Sequence, residues 1–211
     1  MRISEHDQGT EAWLKERIGL ITASGVSKLI SGTGKPSSSA KGYIDTICAE
    51  VLMDAPIETY QSAAMARGNE LEPDARSWYE LQTDNEVSQH GLCIRDELGA
   101  ACSPDGFIEV TEVDGILRPV GGLEIKCPMP HTHVSYLRSG KCPTDYIPQV
   151  QMCMWITGAQ WWDFVSYHPL MPKLMVRVPR DQDYIDIMGT EVAKARAAID
   201  KHLEQIERDY T

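Results

Sequence analysis

The sequence predicts an α/β protein of the α+β kind, a mixed sheet flanked by helices, on three observations. Residues 1–84 read mainly as helix, residues 85–180 mix strand patterns with helices, and residues 181–211 read as one long helix. The chain has 211 residues, the length of a single domain with a core of its own.

Each element has a local reason. Thr10 can cap a short helix over 11–17, and Thr22 or Ser24 can cap another reaching Ile30. Residues 31–42, SGTGKPSSSAKG, lack periodicity and read as a mobile loop. It is not a phosphate-binding P-loop, because Leu29 stands where glycine is needed and Pro36 follows Lys35. Ile44, Ile47, Cys48, Val51 and Leu52 recur with helical spacing over 43–53. A helix follows over 61–82, broken near Gly68, with Pro73 in a first-turn position. The period then changes, and 87–95, 100–110 and 121–127 read as strands. Helices over 131–139 and 144–157 precede strands over 161–168 and 174–178. Asp181 caps a terminal helix to about Arg208, whose stripe of Ile185, Met188, Val192, Ala195, Ile199 and Ile206 packs on the protein's own core.

With 42% apolar and 24% charged residues, the composition excludes a disordered, collagen-like or membrane-spanning chain. The N-terminus, MRISEHDQGTEAWLKER, is too polar for a secretory signal, so a cytoplasmic protein without a membrane partner is expected. Cys48, Cys93, Cys102, Cys127, Cys142 and Cys153 form no C-x-x-C pair and read as six reduced thiols. Trp155, Trp161 and Trp162, between a helix and a strand, read as core rather than as stacking platforms for bases.

The formal net charge of −11 argues against a polyanionic partner, but its distribution does not. Segment 15–42 sets Lys15, Arg17, Lys28, Lys35 and Lys41 against Glu16 alone. Segment 116–141 sets Arg118, Lys126, Arg138 and Lys141 against Glu124 alone, with His131 and His133 besides. Two basic islands in an acidic body suit a protein that grips a polyanion at one place.

The segment that carries chemistry is 101–128. Asp105 occupies a Pro-Asp-Gly turn, and Glu124 and Lys126 stand two apart in the following strand. Strand side chains alternate, so Glu124 and Lys126 share one face while Leu123, Ile125 and Cys127 enter the core from the other. A charged pair on an otherwise apolar strand needs partners, and Asp105 is the obvious one. Asp105 and Glu124 are hard oxygen donors for Mg²⁺. Lys126 can orient a water and offset developing charge, which together suit phosphodiester hydrolysis. A second ion needs a further carboxylate, for which Glu72 is the candidate.

Pro104-Asp105 with Glu124-Ile125-Lys126 resembles the PD-(D/E)xK nuclease signature. The wider pattern is similar to the lambda-exonuclease-type viral recombinase nucleases, or alkaline exonucleases. It runs through Arg17 to Ser24, Glu72 to Arg76, Ala101 to Gly106, Leu123 to Pro128, and Gln149 to Gln151. The resemblance implies a restriction-endonuclease-like core flanked by helices, in a single nuclease domain over 1–211. It implies a Mg²⁺-dependent 5′→3′ exonuclease that acts on double-stranded DNA ends. Such an enzyme releases mononucleotides and leaves a 3′ tail for recombination by strand annealing. It further implies two Mg²⁺ ions, with Mn²⁺ as a substitute, a trimeric ring, and a phage single-strand annealing protein as partner.

Residue by residue, Asp105 and Glu124 match metal ligands, with the Ile125 carbonyl as a third and Glu72 as the additional acid. Lys126 matches the catalytic lysine, and Gln149, rather than Gln151, a glutamine lining the site. Arg17, Ser24 and Ser103 match a pocket for the 5′-terminal phosphate. The chain departs from the pattern at Thr132, where an arginine is expected; His131, His133 or Arg138 can replace it. Met65 falls where an apolar side chain splits the duplex end, and Lys35 where a loop cation follows a groove. The competing readings are another nuclease on the same core, such as a restriction-type endonuclease or an iron–sulfur nuclease, and a non-catalytic DNA-end binder.

Overall fold

The computed structural model describes residues 1–57, 63–113 and 116–210, and side chains within these ranges except at 63–65, 113 and 116. Two four-stranded mixed sheets form in place of the single one expected. The first contains β1 (Arg2–Ile3), β2 (Ile21–Thr22), β3 (Cys93–Arg95) and β4 (Ala100–Cys102) in the order β1-β3-β4-β2, with β2 parallel to β4. The second contains β5 (Gly106–Val113), β6 (Ile116–Lys126), β7 (Trp161–Ser166) and β8 (Leu174–Pro179) in sequence order, with β6 and β7 parallel.

The strand expected over 100–110 is therefore two. The chain leaves the first sheet at Cys102 and enters the second at Gly106, crossing in Ser103-Pro104-Asp105. Of 87–95 only β3 is a strand; the stretch before it is irregular, apart from a bridge between Ser88 and Phe107. The N-terminal part is thus not purely helical, since it supplies half of the first sheet.

Among the described residues, six α-helices cover these sheets. Thr10 caps α1 (Glu11–Glu16), accepting from the Trp13 N–H at 3.3 Å. The helix expected to reach Ile30 is only a 3₁₀ turn over Val26–Lys28, and neither Thr22 nor Ser24 caps it. Residues 31–39 are an ordered turn: the Ser31 N–H donates to the Lys35 carbonyl, and Tyr184 donates to the Ser31 carbonyl. Then come α2 (Ala40–Met53) and α3 (Ala63–Thr83). Helix α3 runs unbroken through Gly68 and holds Pro73 inside it. Its cost is offset by packing: Ala75 and Tyr79 are fully buried against Leu123, Ile125 and Val165. Each such large apolar side chain contributes about 1.5–3 kcal/mol when buried.

On the other face of the second sheet lie α4 (Pro130–Ser139) and α5 (Ile147–Thr157), the latter almost wholly buried. Asp181 caps α6 (Gln182–Tyr210), accepting from the Tyr184 N–H at 3.0 Å. Ile185, Met188, Val192, Ala195 and Ile199 enter the main core with α2 and α5 as the stripe predicted, whereas Ile206 is only half-buried and lies outside it. All six cysteines are free thiols. Trp162 is fully buried and Trp161 half-buried, where Arg177 lies 3.5 Å over its ring. Among the described residues, no helix is long and apolar enough to cross a membrane.

Candidate active site

The seam between the two sheets is where the predicted residues meet. A cavity of about 240 Å³ is lined by Asp105, Glu124, Lys126 and Gln149 together with Arg17, Ser24 and Ser103. Strand β6 presents Glu124 and Lys126 to this cavity because its opposite face, Leu123 and Ile125, is committed to α3. The crossover delivers both Ser103 and Asp105.

Asp105 is fixed at three points. Its N–H donates to the Leu123 carbonyl at 3.2 Å, its Oδ2 accepts the Ile125 N–H at 2.6 Å, and its carbonyl accepts Arg76 Nε at 3.2 Å. Glu124 is 1% exposed. Its Oε1 accepts Gln149 Nε2 at 2.7 Å and pairs with Lys126 Nζ. Its Oε2 is buried without any partner among the described residues. Gln151 points elsewhere: its Nε2 donates to the Pro179 carbonyl, and its Oε1 accepts the Asp181 N–H. Helical geometry separates the two glutamines as predicted.

Burial, reinforced by Asp105 and Glu72, pushes the Glu124 carboxyl up to about 7, although Lys126 opposes the shift. Burial likewise raises Asp105, against the pull of Lys126. Burial would lower Lys126, but Glu124 and Asp105 outweigh it and hold the ammonium well above the ordinary lysine value. Lys126 is thus held in its charged form beside the two carboxylates.

The site fits a hard divalent cation. A buried carboxylate oxygen without a partner is costly unless something positive meets it. Glu124 Oε2 is such an oxygen, and with Asp105 it makes two carboxylates, the number Mg²⁺ commonly takes from protein while keeping several waters. Glu72 does not line this cavity, but its charge acts on Asp105 and Glu124. It lines a neighbouring cavity shared with Asp105, and its Oε1 is held by Arg76 at 2.5 Å. Among the described residues, no group of three or more His, Cys, Asp or Glu side chains is placed to hold a metal ion by itself.

Arg76 was passed over in the sequence. Its fork spans Glu72, the Asp105 carbonyl and the Gln89 side-chain oxygen, the last at 3.0 Å with the amide oriented to accept. Its place one helical turn after Glu72 was the available signal.

In the same cavity, Arg17 stacks on Trp13, 4.2 Å from the ring centroid. Burial depresses the Arg17 guanidinium below the usual arginine value, so it is a desolvated cation. The Trp13 Nε1–H is buried without a partner among the described residues, and Trp13 lines the same cavity. Two such donors suit an anion.

The remaining expectations fare differently. His133 is not a phosphate ligand: it is fully buried, with Nδ1 at 2.7 Å from Ser166 Oγ and Nε2 at 2.8 Å from the Pro172 carbonyl. Both ring nitrogens are thus committed to the protein. His131 and Arg138 are exposed on α4 and do not line the cavity, and Lys35 is exposed in its turn, also outside it. The Met65 side chain lies outside the described residues.

The comparisons agree with this geometry. Residues 12–160 match the model of the YqaJ-like viral recombinase domain. A search of curated proteins returned no match. Among solved structures, the alkaline exonuclease LHK-Exo from Laribacter hongkongensis superposes with a TM-score of 0.82 at 34% identity, covering 94% of this chain and 97% of that one. LHK-Exo in complex with dAMP gives 0.83 at 33% identity with the same coverage. A phage-related exonuclease from Haemophilus somnus 129PT shares the fold, with a TM-score of 0.66 at 16% identity over 89% of this chain and 96% of that one. With the family match spanning most of the chain and the nuclease side chains gathered at one seam, this protein belongs to the YqaJ-like viral recombinase domain family, a recombinase-type nuclease.

Proposed function

We propose that the protein is a Mg²⁺-dependent exonuclease that degrades one strand of linear duplex DNA from its 5′ end to mononucleotides. The observation that carries this reading is the unpartnered Glu124 Oε2, buried beside Lys126 and Asp105. Asp105 and Glu124 would hold the ion, with the Ile125 carbonyl as a further donor. When bound, such an ion polarises a phosphoryl oxygen and acidifies a water.

The chain's own residues do the rest. Gln149 locks the Glu124 carboxylate through Oε1, leaving Oε2 for a ligand. Lys126 donates a proton-bearing Nζ to the attacking water or to charge developing on the phosphoryl oxygens. Ser103, Ser24 and Arg17 lie along the same cavity and can receive a terminal phosphate, which places the end of a strand rather than its middle over the carboxylates.

The test is nucleotide release from linear duplex with Mg²⁺, run beside covalently closed circular DNA. The expected result is release from the linear form only. Cutting of the circle would show an endonuclease, and binding without release an end binder. Polarity follows from which labelled strand end is lost first. By resemblance, the working form is a homotrimeric ring around the duplex, and a phage annealing protein takes up the 3′-tailed strand. A monomeric solution mass under digestion conditions would refute the ring.

A further inference from the structure

None of the expected substitutes for the arginine missing at Thr132 reaches the site: His133 is buried in its own hydrogen bonds, and His131 and Arg138 lie outside the cavity. We propose that Lys28 supplies that cation, so that Arg17, Ser24 and Lys28 together select a terminal phosphate monoester. This rests on the exonuclease reading above.

A second cavity, of about 280 Å³, abuts the first. Arg17, Thr22 and Ser24 line both, so they form the junction, and Lys28 lines the second cavity with them. Lys28 is an exposed residue of this lining, and its position is set locally. It ends the 3₁₀ turn that follows Ser24, and its Nζ sits 5.1 Å from the centroid of the Tyr43 ring. The same tyrosine hydroxyl accepts the Thr22 N–H at 3.2 Å. It approaches Gly25 so closely that a Cβ there would fall 2.2 Å from the hydroxyl oxygen. Tyr43 therefore joins the strand end that leads to Ser24 to the cation beyond it. The acid in this cavity, Glu50, accepts the Ile57 N–H at 3.2 Å.

The chemistry names the ligand. A phosphodiester inside a strand carries one negative charge, whereas a terminal monoester carries about −1.5 to −2 at neutral pH. Arg17 shares its charge with Glu50, which lines the same cavity. A second cation in that cavity, Lys28, favours the monoester over both the diester and a bare hydroxyl.

The experiment compares initial rates on 5′-phosphorylated and 5′-hydroxyl blunt duplexes. Wild type is expected to prefer the phosphorylated end. Lys28→Met lowers that rate ratio roughly tenfold, the loss of one charge-assisted hydrogen bond, and Lys28→Arg restores most of it. Lys201→Met, on the exposed face of α6, keeps the wild-type ratio. A second readout needs no turnover: thymidine 5′-monophosphate in EDTA raises the melting temperature of wild type more than that of Lys28→Met. A Lys28→Met protein with the wild-type ratio and melting shift overturns the proposal, as does a wild type indifferent to the 5′ group. A wild type inert on both duplexes overturns the nuclease reading instead, and the melting shift then decides on Lys28 alone.

Discussion

Two buried carboxylates lie on adjacent strands of the second sheet and lead opposite lives. Asp163, on β7, is 2% exposed and faces α3; Glu124, on β6, is 1% exposed and faces α5. Asp163 is closed. Arg177 reaches both of its oxygens at 2.9 Å, and the Tyr79 hydroxyl donates to Oδ2 at 2.8 Å. Glu124 is open: one oxygen is shared by Gln149 and Lys126, and the other has nothing among the described residues. Burial and a cation partner are common to both. Of the two, Glu124 alone keeps an unmet acceptor.

The comparison sorts the expected effects of mutation. The largest is Lys126→Ala, which is expected to lower nucleotide release by about a thousandfold or more while duplex binding is largely kept. Single-turnover assays paired with gel-shift titration measure both. Next is Arg76→Gln. It frees Glu72 and loosens the Asp105 carbonyl, so the Mg²⁺ concentration for half-maximal rate should rise about tenfold; Arg76→Lys, without the fork, should recover only part. An unchanged Mg²⁺ requirement would mean that Arg76 serves the fold alone.

The two carboxylates then part company. Asp163→Asn is expected to cost about 2 kcal/mol in denaturant titration, with turnover per folded molecule as in wild type. The half-exposed Arg177 can reach water, which keeps the figure below that of a fully buried pair. Glu124→Gln should do the reverse, abolishing turnover while matching or exceeding wild-type stability without metal. If Asp163→Asn killed turnover, the division between a closed and an open carboxylate would fail.

The smallest effect concerns pH. A carboxyl raised from 4.5 to about 7 binds its proton more tightly in the folded state. In the metal-free protein its contribution to stability is complete below about 4.5 and is lost as pH rises through about 7. A divalent cation competes with that proton, so Mg²⁺ should raise the melting temperature more at pH 8 than at pH 6. Equal shifts at both values would show that Glu124 does not hold the ion.

Much of the site could be read from sequence because its logic is periodic. Strand alternation assigns Glu124 and Lys126 to one face and Leu123 and Ile125 to the other, as found. Helical spacing separates Gln149 from Gln151. What periodicity does not encode was lost. Nothing local says that 100–110 splits between two sheets, since both halves are apolar and the break lies in three residues. Helix α3 survives Pro73 through contacts with β6 made fifty residues away. His133 looked available because Ser166 and Pro172, which occupy it, lie more than thirty residues distant. Arg76 was hidden because two of its three acceptors, a main-chain carbonyl and the Gln89 amide, leave no trace in a charge pattern.

The three-residue passage from β4 to β5 has an evolutionary consequence. Ordinary surface turns gain and lose residues freely between relatives. Here one added or deleted residue would shift Asp105 and Ser103 together, disturbing two of the cavity's polar lining residues in a single event. Natural variants of this seam should therefore vary in composition but keep its length, and libraries that randomise Ser103 to Asp105 by indel should yield no active clones.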